Sequence, residues 1–114
     1  MDQLKPVPEV TPVEAQERIA QGALLVDIRE WAEWAESRIP GAEYKPMSEL
    51  NDWYQDLPED RVVILQCRTG NRSGIAANAL INQAHMINVY NLAGGIVSWD
   101  ESGLPIDTTP LARL

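Results

Sequence analysis

The sequence predicts an α/β fold in which helices cover both faces of a parallel β-sheet. Segments typical of strands alternate with segments typical of helices along the whole chain. One segment, Val62-Val63-Ile64-Leu65, is a run of aliphatic residues of the kind found in strands buried on both faces. The alanine-rich segment that follows Ser73 contains strong helix formers and predicts a helix.

The first helix has a clear start signal. Thr11 is predicted as its N-cap, Pro12 occupies its first turn, and Glu14 completes a capping box. The helix is expected to run to about Gln21 and to end at Gly22. Its predicted inner side carries Val13, Ile19 and Ala20.

The remaining elements follow from hydrophobic runs, helix formers and turn residues. The predicted strands are Val7–Val10, Ala23–Ile28, Glu43–Lys45, the central strand at Val62, and Ile87–Asn91. The predicted later helices are Glu30–Glu36, Ser48–Gln55, Arg72–Ala84 and Gly94–Ser102. The helix Arg72–Ala84 is expected to bury Ile75, Ala76, Ala79 and Leu80. Residues from Ile106 onward are predicted to form a tail, and we divide the chain into one domain, residues 1–110, and a tail, residues 111–114.

The composition is that of a folded domain with an acidic surface. The 114 residues are 45% hydrophobic and 23% charged, which fits one globular domain rather than a disordered chain. Nine basic and 17 acidic residues give a formal charge of −8. This charge argues against nucleic acid and anionic membrane surfaces as partners.

Other features exclude several classes of protein. No apolar run approaches the roughly 18 residues of a membrane-spanning helix, and residues Met1 to Pro6 lack the apolar core of a signal peptide, so we predict a cytoplasmic protein. The single cysteine, Cys67, excludes an internal disulfide and a dithiol mechanism. We find no metal-ligand cluster and no dinucleotide-binding motif, and therefore predict no metal and no cofactor.

Cys67 opens the loop between the central strand and the alanine-rich helix. At the amino end of a helix, free N–H groups and the helix dipole favour an anion. Arg68 and Arg72 add positive charge, and Gly70 lets the backbone turn its N–H groups inward. In such a setting the pKa of a cysteine falls from about 8.5 to between roughly 3.5 and 7.5. Cys67 is therefore a candidate nucleophile, and the alternative is a buried cysteine that only packs.

Four segments of the chain, which occur in the order expected for the family, resemble the rhodanese family, the sulfurtransferases that carry sulfur as a cysteine persulfide. Cys67-Arg68-Thr69-Gly70-Asn71-Arg72-Ser73 is similar to the active-site loop of that family. The other three are Val26-Asp27-Ile28-Arg29-Glu30, Arg38-Ile39-Pro40-Gly41-Ala42 and Asn91-Leu92-Ala93-Gly94-Gly95-Ile96-Val97-Ser98-Trp99. The resemblance covers most of the chain and implies a sheet of about five strands with helices on either side.

The resemblance also implies roles for individual residues. Cys67 is the expected nucleophile, and the loop residues form the expected site for an anionic sulfur: Arg68, Thr69, Gly70, Asn71, Arg72 and Ser73. Asp27 and Arg29 are expected to support this loop, with a structural salt bridge as the other interpretation of Asp27. The implied substrates are a small anionic sulfur donor such as thiosulfate and an acceptor, cyanide or a thiol. A protein persulfide or a cellular thiol is the alternative natural partner.

Two other functions remain open at this point. Phosphatases and arsenate reductases also place a cysteine, a glycine and an arginine between a strand and a helix. The loop of protein tyrosine phosphatases is one residue longer than this one, in which four residues separate Cys67 from Arg72. The second alternative is a non-catalytic rhodanese-like module that binds a partner, although inactive modules usually lack the cysteine.

Overall fold

Strands and helices alternate along the described part of the chain, residues 4–113 of a computed structural model. The strands are β1 (Glu9–Val10), β2 (Leu24–Asp27), β3 (Glu43–Tyr44), β4 (Val63–Gln66) and β5 (Val89–Leu92). The helices are α1 (Pro12–Ala20), α2 (Trp31–Glu36), α3 (Leu50–Trp53), α4 (Asn71–Asn82) and α5 (Gly95–Glu101), with short 3-10 turns on both sides of α3. All strands are parallel, in the order β1-β5-β4-β2-β3. The predicted α/β fold with a five-stranded parallel sheet is confirmed.

The position of β4 determines where Cys67 lies. β4 pairs with β2, with Gln66 beside Asp27, and with β5, with Leu65 beside Asn91. Because parallel strands end at the same edge of a sheet, the residues that follow β2, β4 and β5 meet there, and this edge is where α/β proteins usually bind ligands. Cys67, directly after β4, is therefore in the middle of that edge.

Each face of the sheet is covered by its own hydrophobic core, as expected for parallel strands. Alternate residues of β2 and β4 supply the two cores. The first core packs beneath α3 and α4 and includes Val26, Leu65, Trp53, Ala77 and Leu80. The second core packs beneath α1 and α5 and includes Leu25, Ile64, Ala15, Ile96 and Trp99. Within residues 4–113, no helix has the length and apolar character required to cross a membrane.

The start of α1 agrees with the prediction, but its buried face does not. Thr11 and Glu14 form the expected capping box. Val13, predicted to face inward, is 54% exposed, and Ala20 is also exposed. Pro12, Ala15 and Ile19 lie three and four positions apart and therefore share one face of the helix. On that face Pro12 and Ala15 are buried and Ile19 is half-buried.

The buried face of α4 agrees with the prediction at Ala76 and Leu80 but not at Ile75. Its buried residues are Ser73, Ala76, Ala77, Leu80 and Ile81, whereas Ile75 is 62% exposed. Ser73 faces Cys67. That contact fixes the rotation of the first turn and carries Ile75 to the outer side of the helix.

The segment predicted as a tail is bound to the domain over part of its length. Arg38 and Asp107 form an antiparallel bridge and an ion pair of 3.2 Å. The guanidinium of Arg38 also donates to the carbonyl oxygen of Thr109. The backbone N–H of Leu111 donates to the carbonyl oxygen of Ala35 in α2 at 2.9 Å. The tail prediction from Ile106 onward is therefore wrong for residues 107–111. The ends of the predicted domain and tail, Met1 and Leu114, lie outside the described residues.

Candidate active site

The loop between β4 and α4 is shaped by Gly70. This residue is the N-cap of α4 and has a φ angle of 100°, a backbone conformation that glycine adopts without strain. The turn directs the N–H of Gly70 toward Cys67, and the first turn of α4 adds the N–H of Ser73. The predicted inward direction of the backbone N–H groups is therefore present around this cysteine.

The sulfur of Cys67 lies near two backbone N–H donors and one hydroxyl, whose single hydrogen can also go to Asn91. The Sγ atom is 3.2 Å from the N–H nitrogen of Gly70, 3.4 Å from that of Ser73 and 3.3 Å from the Ser73 hydroxyl. Cys67 itself is 1% exposed. Cys67 belongs to the first hydrophobic core, but its sulfur also has polar partners suited to an anion, which a cysteine that only packs does not require.

Two opposing effects determine the pKa of Cys67. Burial raises the pKa of the thiol because it disfavours the charged form. Hydrogen bonds from the Ser73 hydroxyl and from the backbone N–H groups of Ser73, Gly70 and Thr69 lower it, and together they outweigh burial. The pKa of Cys67 is therefore below the ordinary value for cysteine, which increases the thiolate fraction near neutral pH.

The amino end of α5 holds the same loop from its other side. The N–H groups of Ile96 and Val97 donate to the carbonyl oxygens of Cys67 and Arg68 at 2.9 and 3.1 Å. Gly95 makes this approach possible, because a Cβ atom there would collide with both carbonyl groups. The carbonyl oxygens of Cys67 and Arg68 are thus bound by α5, while N–H groups of Gly70 and Ser73 point toward the sulfur.

Arg72 binds a carboxylate rather than the sulfur. Its guanidinium forms two hydrogen bonds with Glu33 in α2, of 2.7 and 2.8 Å. This pairing raises the pKa of Arg72 and lowers that of Glu33. Arg72 therefore connects the loop to α2, and its positive charge also favours the Cys67 thiolate through space.

Three loop residues predicted to bind substrate have exposed side chains: Arg68, Thr69 and Asn71. Arg68 lines a cleft of about 260 Å³ together with Arg29, Glu33 and residues of α5. Cys67 does not line this cleft. The structure thus brings Gly70 and Ser73 to the sulfur, Arg72 to Glu33, and Arg68 to the neighbouring cleft.

Asp27 and Arg29 form a buried ion pair with each other. The Asp27 carboxylate accepts hydrogen bonds from the backbone N–H and the guanidinium of Arg29, the shortest being 2.7 Å. Arg29 also donates to the carbonyl oxygen of Ser37 at 2.7 Å. The pair ties the end of β2 to the segment after α2, the structural interpretation of Asp27, and Arg29 also lines the cleft that Arg68 lines.

Comparisons with known proteins agree with this geometry. The family model described as a rhodanese-like domain matches residues 11–102. The chain belongs to the rhodanese-like family. A sulfurtransferase of Allochromatium vinosum is 40% identical over 88% of this chain and 94% of its own. The thiosulfate sulfurtransferase GlpE of Haemophilus influenzae is 36% identical over 91% of this chain and 98% of its own.

A solved structure supports the same assignment. The rhodanese-related protein of Thermoplasma volcanium is 29% identical, has a TM-score of 0.79, and is matched over 89% of this chain and 98% of its own. The predicted membership of the rhodanese family is therefore confirmed, and so is the predicted sulfurtransferase class of enzyme.

Some residues of this rhodanese-like site were not predicted as parts of it. Glu33 anchors Arg72, and Asn91 contacts both Ser73 and Gly70. Both lie far from the loop in sequence, and of the two only Asn91 lies in a segment that resembles the family. Within residues 4–113, no group of three or more His, Cys, Asp or Glu side chains is placed to hold a metal ion.

Proposed function

We propose that this protein transfers sulfane sulfur through a persulfide on Cys67, from an anionic donor such as thiosulfate to cyanide or a thiol. The observation that carries the proposal is the ring of donors around the Cys67 sulfur from Gly70 and Ser73. Such donors stabilise negative charge on sulfur both in the thiolate and after a second sulfur has been added. The GlpE relatives, named as thiosulfate sulfurtransferases, support thiosulfate as a donor.

In the first step the thiolate of Cys67 attacks the outer sulfur of thiosulfate. A new S–S bond forms, and the bond between the two thiosulfate sulfur atoms breaks, with its electron pair leaving on sulfite. No general acid is required because sulfite departs as an anion. The product is a Cys67 persulfide, a covalent intermediate of nucleophilic catalysis.

In the second step the acceptor takes the outer sulfur. Cyanide attacks that atom, the S–S bond breaks toward Cys67, and the products are thiocyanate and the original thiolate. Because the enzyme alternates between two covalent states, ping-pong kinetics are expected. A protein persulfide as donor and a cellular thiol as acceptor would follow the same bond changes.

The roles of the loop side chains follow from their positions. The backbone N–H of Gly70 and the backbone N–H and hydroxyl of Ser73 stabilise the anionic sulfur. The guanidinium of Arg72 holds the loop against α2. Arg68 is exposed beside Cys67, so its charge attracts an anionic donor. Thr69 and Asn71 complete the rim of the loop.

The test is a mass spectrum of the intact protein before and after thiosulfate treatment. We expect a gain of about 32 Da, the mass of one sulfur atom, that is reversed by cyanide with formation of thiocyanate. Cys67→Ser is the control and should gain no mass. A protein that gains no sulfur and instead hydrolyses an aryl phosphate would overturn the proposal in favour of a phosphatase, and a protein inert in both assays would favour a partner-binding module.

A further inference from the structure

Asn91 contacts two of the residues that bind the Cys67 sulfur. It lies in β5, is 2% exposed, and pairs with Leu65 of β4. Its side-chain oxygen accepts a hydrogen bond from the Ser73 hydroxyl at 2.6 Å. Its side-chain nitrogen donates to the carbonyl oxygen of Gly70 and to the carboxylate of Glu9, both at 3.0 Å.

These partners determine which way the Asn91 amide points. The Gly70 carbonyl and the Glu9 carboxylate can only accept, so the NH2 group of the amide must face them. Reversing the amide would place its oxygen against both of these acceptors. The Asn91 oxygen therefore faces Ser73 and can only accept the hydrogen of its hydroxyl.

The hydroxyl of Ser73 has one hydrogen and two neighbours that can accept it. One is the Asn91 oxygen at 2.6 Å, and the other is the Cys67 sulfur at 3.3 Å. While Cys67 is a neutral thiol, its S–H can donate to the Ser73 oxygen, and Ser73 can donate to Asn91. When Cys67 is a thiolate, the sulfur has no hydrogen to donate and competes with Asn91 for the hydroxyl hydrogen.

We propose that Asn91 is a positioning residue for sulfur transfer, which orients the Ser73 hydroxyl toward itself and so limits how strongly that hydroxyl stabilises negative charge on Cys67. The inference extends the proposed function, because the charge on this sulfur changes during the proposed cycle. A weaker donor leaves the sulfur more nucleophilic, whereas a stronger donor makes the thiolate more abundant but less reactive.

Several charged groups surround this network and must be kept constant in a test. Glu9 on β1 contacts Asn91 directly. Arg72 on α4 and its partner Glu33 on α2 lie beside the loop, and Asp27 at the end of β2 acts on Arg72 through space. Neutral substitutions at Asn91 and Ser73 leave these charges in place, although Asn91→Leu removes the hydrogen bonds to Glu9 and Gly70. The part of a pKa change that belongs to the hydroxyl is therefore read from the comparison with the Ser73→Ala background.

The test is a double-mutant cycle with Asn91→Leu and Ser73→Ala in the full chain. The pKa of Cys67 is measured from the pH dependence of its alkylation by iodoacetamide, which reports one site because the chain has one cysteine. Asn91→Leu frees the Ser73 hydroxyl to donate to the thiolate. We expect it to lower the pKa by about one unit more when Ser73 is present than in the Ser73→Ala background, the scale of one hydrogen bond to a charged group.

Comparing the two backgrounds removes effects that do not involve the hydroxyl. The lost contact with Gly70 is common to both backgrounds and cancels in the cycle. Asn88→Leu is the matched control, because it removes two hydrogen bonds to the carbonyl oxygens of Pro58 and Arg61. It should reduce stability without changing the pKa of Cys67.

An equal pKa change in both backgrounds, or a change of opposite sign, would overturn the inference. If Asn91→Leu does not fold, Asn91→Ala provides the same cycle with a smaller side chain. Alkylation requires no sulfur donor, so a failure of this inference is distinguishable from a failure of sulfur transfer in the mass-spectrometry experiment.

Discussion

At the scale of single residues, Gly95 controls how closely α5 approaches the loop from Cys67 to Ser73. It has a φ angle of 59°, and a Cβ atom there would collide with the carbonyl groups of Cys67 and Arg68. A side chain would therefore push away the N–H groups of Ile96 and Val97 that bind these carbonyl groups. Gly95, the second of the two glycines in its family segment, therefore affects the geometry of Cys67 although it follows β5 and not β4.

We predict that Gly95→Ala lowers both stability and sulfur transfer. The backbone strain alone is expected to cost about 1–2 kcal/mol, and displacement of the loop should add to the loss. Urea unfolding measures the free energy of unfolding, and thiocyanate formation measures the transfer rate. We expect the transfer rate to fall by more than the decrease in the folded fraction of the protein explains.

Gly103→Ala is the matched control for this prediction. Gly103 also has a positive φ, of 78°, but no atom lies within 4 Å of a Cβ atom placed there. It should show the backbone strain without the loss of transfer. Equal transfer rates in folded Gly95→Ala and Gly103→Ala would show that α5 does not position the loop.

At the scale of elements, the ion pair between Glu33 and Arg72 joins α2 to the start of α4. The two side chains are about one-third exposed, at 32% and 38%, so solvent screening limits the contribution of the pair to stability to about 1 kcal/mol or less. Its geometry is bidentate, which fixes direction as well as distance. We therefore assign the pair mainly to loop position rather than to stability.

Glu33→Gln is predicted to reduce sulfur transfer several-fold while leaving the protein folded. Arg72 lowers the pKa of Glu33, so the stabilisation is fully present above the unfolded-state pKa of about 4.3 and is lost as pH falls through the lower folded-state value. At pH 7 the free energy of unfolding of Glu33→Gln should therefore be lower than that of the unsubstituted protein. This difference should become smaller at acidic pH.

Glu36→Gln removes the same charge from the same helix and keeps the contact with Arg72. We expect its transfer rate to stay near that of the unsubstituted protein. If both substitutions reduced transfer equally, the charge of α2 rather than the bidentate pair would be the important property.

The elements also show what sequence patterns can and cannot predict. The aliphatic run at Val62 and the glycine at position 70 report local properties, and both the strand and the turn are present where expected. The rotation of a helix depends on what it packs against. For that reason Ile75 was placed inward by its hydrophobicity, whereas the contact between Ser73 and Cys67 turns it outward.

At the scale of the whole molecule, positive charge is scarce, and part of it is bound to carboxylates. The formal charge is −8, and Arg29, Arg38 and Arg72 each bind a carboxylate. Arg68 is exposed next to Cys67. The anionic donor of the proposed reaction would therefore meet repulsion from the molecule as a whole and attraction from Arg68 close to Cys67.

We predict that the rate constant kcat/KM for thiosulfate increases with salt. Between about 0.01 and 0.15 M the screening length falls from roughly 30 to 8 Å, which removes distant repulsion more than local attraction. Arg68→Ala should lower kcat/KM and strengthen its dependence on salt. A kcat/KM that decreases with salt would mean that local positive charge dominates the approach of the donor.

Arg61→Ala is the control with the same change in net charge. Arg61 precedes β4 and donates to the carbonyl oxygen of Gly22, at the edge of the sheet opposite Cys67. Its substitution should change kcat/KM less than Arg68→Ala does, since the charge is removed far from the approach path.

The site as a whole was predicted only in part, for a physical reason. The loop from Cys67 to Ser73 is contiguous in sequence, so its residue types indicate its chemistry directly. Glu33 and Asn91 reach it from 39 and 18 positions away, through contacts that exist only once the sheet has brought α2 and β5 beside the loop. Sequence patterns indicated the residues of the loop but not the residues that hold it in place.

The contacts of α5 with the loop have a consequence for the energetics of the reaction. The backbone N–H of Thr69 lowers the pKa of Cys67, and the carbonyl oxygen of the same peptide group, that of Arg68, is bound by Val97. A peptide group bound through its oxygen cannot rotate freely, so this part of the electric field at the sulfur exists before a donor arrives. In water the surrounding dipoles would have to reorient as charge moved between sulfur atoms. For the sulfur transfer proposed above, this reorganisation would already have taken place during folding, and the barrier would be lower by the corresponding amount.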